Sequence, residues 1–293
     1  MAECQADKGG PVLSYGLLGP LALIRSGQPV TVPRGPKVRQ LLGLFLCRAN
    51  RPVSLNDLVD ELWGENPPDT AEGTLRTHVH RLRRFLESEG PQSGLLQTRS
   101  AGYLLRVAPG LLDAESFEQA ARQGRELSRA RHWDEAADRL RQALGLWRGP
   151  ALDDVAHGRL LSEHVAHLEE LRTSTTQAWI EAERELGHHR ELIPELRALV
   201  EAHPLNEWLH EQLIDLLALC GRRPEALDAY RRLWHVLDDE LGLEPSPALQ
   251  RLHHRILTPA HPAPARPAPA RATGRALGTR THHRKGTSCA TAI

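Results

Sequence analysis

The chain has 293 residues, 37 Lys plus Arg against 37 Asp plus Glu, and no apolar run near the 18 residues that a membrane-spanning helix needs, so about two non-membrane domains are expected. The neutrality is an average over unlike parts: residues 12–110 hold 12 basic and 8 acidic side chains, residues 111–257 hold 18 and 27, and residues 258–293 hold six basic and none acidic. A polyanion partner is therefore expected on the N-terminal side, with a different task for the acidic middle.

Cys4, Cys47, Cys220 and Cys289 are far apart and lack metal-ligand spacing, which predicts reduced thiols; with no export signal legible, a cytoplasmic location is expected. Residues 1–11 are expected to be a disordered N-terminus. From residue 13, "LSYGLLGPLALIRSGQPVTV" is rich in Leu and Val and broken by Gly19-Pro20 and Ser26-Gly27, which reads as three short strands. "GPKVRQLLGLFLCRAN" then turns to helical spacing, with Pro36 suited to a first turn and Val38, Leu41, Leu42 and Phe45 on one face. A second helix is predicted from Ser54, whose side chain can cap with Asp57 three residues on, to a stop at Gly64. A third follows "ENPPD", with Asp69 as the expected cap and Glu72 three residues later. Residues 95–107, "LLQTRSAGYLLRV", read as two strands around a turn at Ser100-Ala101-Gly102. Strands, three helices and a terminal hairpin make a winged helix-turn-helix over residues 12–110.

From Ser116 to Leu257 no strand is evident and a phrase recurs: "HWDEAADRLRQAL" (132–144), "HRELIPELRAL" (189–199) and "RRPEALDAYRRL" (222–233). Glu135, Glu191 and Glu225 correspond. The last two are 34 residues apart, the period of a tetratricopeptide helix pair; the first two are 56 apart, so that a segment including "WRGPALDDVAHGRLL" is inserted. Small residues at Ala136, Ala226 and Ala229 suit close helix packing. Residues 111–257 are thus expected to form an all-α, tetratricopeptide-like repeat domain, making the whole mainly α. Residues 258–293, rich in Pro, Ala and Arg, cannot bury a core and are expected to be a disordered, solvated tail.

The chemistry concentrates in "TLRTHVHRLRRFL", residues 74–86. At about 100° per residue, Leu75, Val79, Leu82 and Leu86 form a packing stripe. The opposite arc carries Thr77, His80, Arg81 and Arg84, flanked by Arg76 and Arg83 and by Thr74, without a carboxylate among them. A merely solvated helix would interleave Glu with Arg. Arg76, Thr77, His80, Arg81 and Arg84 are therefore candidate base readers, because Arg reaches guanine bidentately and Thr and His reach base edges. Thr74 and Arg83, with Arg99 at the hairpin turn and Tyr103 just after it, are candidate phosphate or backbone contacts. Among the 16 histidines, His78/His80, His188/His189, His253/His254 and His282/His283 fall in pairs without the partners that metal catalysis requires, and no phosphate-binding Gly-rich loop or nucleophile elbow occurs; no enzyme, metal or cofactor is expected. A repeat scaffold binding only proteins would leave the basic helix face unexplained.

The six-residue connection "GENPPD", the phrase "THVHRLRRFL" and the later "RSAGYLL" resemble the OmpR-type winged helix. "LGLWRGPALDDV", "EAHPLNEWLHEQLIDLLALCGRRPEALDAYRRL" and "LDDELGLEPSPALQRLHHRIL" resemble the bacterial transcriptional activation domain. In this order, over residues 13–257, the two resemble the Streptomyces antibiotic regulatory proteins. The resemblance implies an activator of a secondary-metabolite gene cluster that binds tandem direct repeats of double-stranded promoter DNA near the −35 region. It further implies recruitment of RNA polymerase holoenzyme, and a homodimer or cooperative assembly on DNA. It places the recognition helix at Thr74 through Arg84 and the wing tyrosine at Tyr103. His78 and His80 depart from the pattern, so base preferences do not carry over.

Overall fold

The computed structural model describes residues 13–89 and 94–258. The segments expected to be disordered, 1–11 and the tail beyond Thr258, lie outside the described residues. The breaks at Gly19-Pro20 and Ser26-Gly27 divide the first apolar stretch into β1 (Leu13–Gly16), β2 (Ala22–Arg25) and β3 (Gln28–Val30), an antiparallel sheet with Leu13 opposite Arg25 and Leu23 opposite Val30. Proline opens α1 (Pro36–Cys47) as its spacing predicts. The expected single apolar face is too narrow: Gln40, Gly43, Leu44 and Leu46 are buried along with Val38, Leu41, Leu42 and Phe45, because α1 is enclosed from several sides.

α2 (Leu55–Trp63) starts as expected. Ser54 Oγ accepts the Asp57 N–H at 3.1 Å and donates to Asp57 Oδ2 at 2.7 Å, and Gly64 closes the helix. α3 (Ala71–Glu89) begins with the Thr74 N–H donating to the Thr70 carbonyl at 2.9 Å, so Thr70, not Asp69, is the residue flanking its first turn. The hairpin is β5 (Leu96–Arg99) and β6 (Gly102–Leu105), with Leu96 opposite Leu105 and Arg99 opposite Gly102. A two-residue strand absent from the sequence reading, β4 (Val53–Ser54), pairs with the other edge of β6. Two residues are too few to show an alternation. Their presence explains Gly102: at φ 159°, a Cβ there would overlap the Val53 carbonyl oxygen.

Beyond Leu112 the described residues form helices only: α4 (Asp113–Arg129), α5 (Trp133–Leu144), α6 (Arg159–Glu185), α7 (His189–Ala202), α8 (Glu207–Leu219), α9 (Arg223–Leu241) and α10 (Pro247–Leu257). The recurring phrase falls on α5, α7 and α9. Ala136, Ala226 and Ala229 are buried, with exposures of 2% or less, where these helices meet their neighbours.

The apolar interior forms two clusters whose border does not follow the end of the winged helix. The first joins β1 to β6 and α1 to α3 with Phe117, Ala120 and Ala121 of α4, Leu152, Val155, and Leu160, Leu161 and Leu168 of α6. The second holds α5, the far half of α6 and α7 to α10. The inserted segment is what binds the first sheet. The Arg148 N–H donates to the Leu18 carbonyl at 2.7 Å, the Leu152 N–H to that of Gly19 at 2.8 Å, and the Leu21 N–H to Asp154 Oδ1 at 2.7 Å. From α4, Asp113 accepts the N–H groups of Leu17 and Leu18 and meets Arg148 at 3.2 Å.

At the centre of the seam Glu61 of α2 is 2% exposed, yet its carboxylate is saturated. Oε1 accepts the Gly158 N–H at 2.7 Å, and Oε2 accepts those of Leu160 at 2.8 Å and Leu161 at 3.3 Å. It thus serves as the N-terminal cap of α6 from another helix, satisfying donors that have no partner within α6 and placing an anion at the positive end of the helix dipole. Gly158 permits the approach, since a Cβ there would overlap the Glu61 carbonyl oxygen. Glu61→Ala is expected to destabilise the full chain by about 2–3 kcal/mol, since it strips several buried N–H groups of a charged acceptor. Denaturant unfolding measures this, and an unchanged midpoint refutes the assignment.

Beside this seam, α1, α4 and α6 border a cleft of about 500 Å³ that contains Cys47, Arg48, Glu115, Glu163, His164 and His167. Burial, then His167, then Arg48 lower the His164 pKa from 6.5 to about 4. A folded value below the unfolded one means that the unfolded chain takes up the proton first. This contribution to stability is therefore intact above pH 6.5 and is lost as pH falls toward 4. Replacing His164 with Gln should flatten that interval of a stability-versus-pH curve; an unchanged slope between pH 6.5 and 4 refutes it.

Candidate nucleic-acid interface

α3 is amphipathic with the two sides the sequence predicts. Leu75, Val79, Leu82 and Leu86 are at most 2% exposed, and Arg76, Thr77, His80, Arg81 and Arg84 face solvent, with Thr74 half-buried at the edge. Arg76 lies 3.4 Å from Glu72 one turn earlier, both about two-thirds exposed, a pair worth little and easily exchanged for another anion. Thr77 Oγ1 donates to the Gly73 carbonyl at 3.1 Å, leaving its lone pairs available. His80, Arg81 and Arg84 have no hydrogen-bond or ion-pair partner among the described residues. The face therefore presents mostly donors, held by a buried stripe rather than by one another. Such a surface suits base edges flanked by phosphates.

Two of the phosphate candidates occupy other places. Arg83 is half-buried: its Nε donates to the Leu96 carbonyl at 3.2 Å and its Nη2 to Thr98 Oγ1 at 3.1 Å, so the guanidinium ties α3 to β5. It follows Leu82 by one position, which turns it about 100° off the apolar stripe and toward the wing. Tyr103, expected at the sugar-phosphate backbone, is 9% exposed and belongs to the first core cluster, opposite Thr98 on one side and Val53 on the other. All four residues of β6 are buried because strands flank it on both edges and the core covers it, so the alternation that would place Tyr103 outward does not apply. Arg99, at the end of β5, is exposed; its Nη2 donates to Gln97 Oε1 at 2.5 Å, which keeps the guanidinium on the wing.

Folding adds a neighbour that the sequence reading passed over. Lys37, at the start of α1, donates to the Leu62 carbonyl at the end of α2 and to Gln40 Oε1 at 3.5 Å, and its ammonium lies 5.9 Å from the Trp63 ring centroid. His78 of α3 is close by, with Nδ1 buried and without a hydrogen-bond partner among the described residues. Burial, then Arg81, then Lys37 hold the His78 pKa below its ordinary value, which favours the neutral ring at the margin of a cationic face. Lys37 is 41 positions from His78 in sequence, and no local pattern announces their meeting.

Among the described residues no group of three His, Cys, Asp or Glu side chains is arranged to hold a metal ion, and no helix is long and apolar enough to cross a membrane. Burial, and then Glu61, push the pKa of the half-buried Cys47 thiol up, which favours its protonated form.

Residues 27–105 match the family model described as transcriptional regulatory protein, C terminal, and residues 112–257 match that of the bacterial transcriptional activator domain. Over 251 residues the chain is 40% identical to regulatory protein DnrI of Streptomyces peucetius, covering 84% of this chain and 92% of that protein. It is 38% identical over 249 residues to regulatory protein AfsR of Streptomyces coelicolor, again over 84% of this chain but only 24% of that much longer protein. A solved structure of Mycobacterium tuberculosis EmbR, in complex with a low-affinity phosphopeptide, superposes with a TM-score of 0.74 at 34% identity, covering 85% of this chain and 65% of that one. With an OmpR-type domain and a bacterial transcriptional activator domain in this order, and with a 40% identical regulator nearly matched in length, the chain belongs to the Streptomyces antibiotic regulatory protein family of transcriptional regulators.

Proposed function

We propose that the protein activates transcription of a secondary-metabolite gene cluster in the cytoplasm, binding tandem direct repeats of promoter DNA near the −35 region and recruiting RNA polymerase holoenzyme. The observation that carries this reading is the outward face of α3: Arg76, Thr77, His80, Arg81 and Arg84 stand exposed on a rigid helix, with Glu72 at its start the only carboxylate paired to them among the described residues. Residues 12–110 supply the DNA contacts. The repeats of residues 111–257, with 27 acidic against 18 basic side chains, repel the duplex and meet protein instead, either polymerase or a second protomer on the adjacent repeat. A homodimer or cooperative assembly raises affinity through effective concentration alone. A scaffold that binds only protein would leave the α3 face without a use.

The roles separate in one set of full-length variants, measured by mobility shift on operator DNA and by thermal unfolding. Arg81→Ala and Arg84→Ala are each expected to weaken specific binding by about 1–3 kcal/mol with stability nearly unchanged. Arg83→Ala should instead cost about 1 kcal/mol of stability, because it removes the strut between α3 and β5. Full affinity in the Arg81, Arg84 double variant defeats the base-reading role. Arg99→Ala is expected to weaken specific and nonspecific DNA alike and to make the salt slope about one unit shallower; an effect on a single base-pair preference would instead make the wing a sequence reader.

A further inference from the structure

The cleft of about 500 Å³ beside the seam has walls of unlike charge. Arg48, the residue after α1, comes from the winged helix, whereas Glu118 of α4 and His164 of α6 come from the repeats. All three are half-buried, and none of their side chains has a hydrogen-bond or ion-pair partner among the described residues. The other polar groups of the lining are engaged or open to water. The Asn50 amide exchanges hydrogen bonds with Val107 at 2.8 and 3.2 Å, Glu163 meets Arg159 at 2.8 Å, and Arg51 and His167 are exposed. After burial and His167, Arg48 holds the His164 pKa down, and after burial and Glu61 have raised the Cys47 pKa, Arg48 draws it back. The guanidinium charge therefore acts inside the cleft, on groups of both α1 and α6. Between the charged walls the lining is apolar and buried, with Leu46, Leu112 and Leu160.

We propose that this cleft binds a small zwitterion with an apolar body, of the amino-acid class, with its carboxylate on Arg48, its ammonium on Glu118 and its body against the leucines. A cation and a carboxylate that are partly withdrawn from water, yet too far apart to form an ion pair, have each lost hydration without gaining a partner. A ligand carrying both charges supplies both partners at once. The planar guanidinium suits a carboxylate bidentately, and the Glu118 carboxylate accepts from an ammonium. His164 favours its neutral form, so that it offers a donor and an acceptor without repelling the ammonium. A singly charged ligand would leave one wall unmatched, and a wholly polar one would waste the leucines. The volume falls within the range of about 300–1,000 Å³ common to small-molecule clefts. Since the two charged walls belong to different halves of the chain, an occupant ties those halves together.

The test titrates the full chain calorimetrically with L-phenylalanine, with 3-phenylpropionate, which lacks the ammonium, and with phenethylamine, which lacks the carboxylate. L-phenylalanine is expected to bind at least about tenfold more tightly than either, because each analogue leaves one charged side chain unmatched. Arg48→Gln is expected to erase the preference over phenethylamine, and Glu118→Gln that over 3-phenylpropionate. Without ligand both variants should unfold at the temperature of the parent chain, and the rise that L-phenylalanine produces should be smaller in each. Equal affinity for the three compounds, or no binding of any of them at about 10 mM, would overturn the proposal. So would a matching loss of ligand-free stability in both variants that grows no larger in the double variant, which would identify Arg48 and Glu118 as partners of each other.

Discussion

The rest of the molecule depends on one buried carboxylate. Glu61 sits at 2% exposure in α2 and accepts N–H groups from Gly158, Leu160 and Leu161, the opening turn of the 27-residue α6. Burying a carboxylate is costly, and here the cost is offset by several charge-assisted hydrogen bonds at the positive end of a long helix. Gln40 Nε2 donates to the Glu61 carbonyl at 2.7 Å, so α1, α2 and α6 are locked at one point. Because α3 packs on α1 and α2, this lock fixes the helix with the exposed cationic face relative to the repeats. Asp113 and Asp154 perform the same operation on the backbone N–H groups of Leu17, Leu18 and Leu21. Acidic side chains thus join the two halves at the seam, while the outer face of α3 is left cationic.

The same economy of position sorts chemically identical residues into different tasks. Arg83 and Arg84 are neighbours in sequence, but a helical step of about 100° sends one into hydrogen bonds with β5 and the other into solvent. A guanidinium fixed by two acceptors holds the wing against the helix; a free one is available to a base or a phosphate. The wing is built alike: Arg99 is outside, and Tyr103 is inside because β4 closes the second edge of β6. Position in the fold therefore separates an engaged strut, Arg83, from an exposed cation, Arg84, at adjacent residues.

In the repeats, matching glutamates occupy matching places without making matching contacts. Glu225 receives Arg197 of α7 at 2.6 Å and Arg222 at 2.7 Å, linking two helix pairs, whereas among the described residues the only ion-pair partner of Glu135 is His132, at 3.9 Å. The α5–α6 pair uses Glu183 for its junction, where a buried carboxylate accepts from Arg141 at 2.6 Å and from Trp179 Nε1 at 3.0 Å and meets His188 Nδ1 at 2.8 Å. After α5 comes the insert, whose backbone bonds to the first sheet. There Trp147 packs edge-on against Phe117, and Arg172 stacks over Trp147 at 4.5 Å.

Local chemistry determined the elements. The serine cap and glycine stop of α2, the proline start of α1, the existence of the hairpin, the 34-residue recurrence and the two sides of α3 were all legible, because each depends on residues within a few positions of one another or on a simple period. The tertiary structure decided what depends on distant partners. α1 is buried on several sides, Tyr103 is inside and Arg83 is engaged because strands and helices from elsewhere in the chain cover them. The insert that in sequence only interrupts a repeat proves to be the segment that binds the first sheet. Glu61 reads in sequence as one more charge on an amphipathic helix; only the arrival of α6, about 100 residues later, supplies the N–H groups that make its burial favourable.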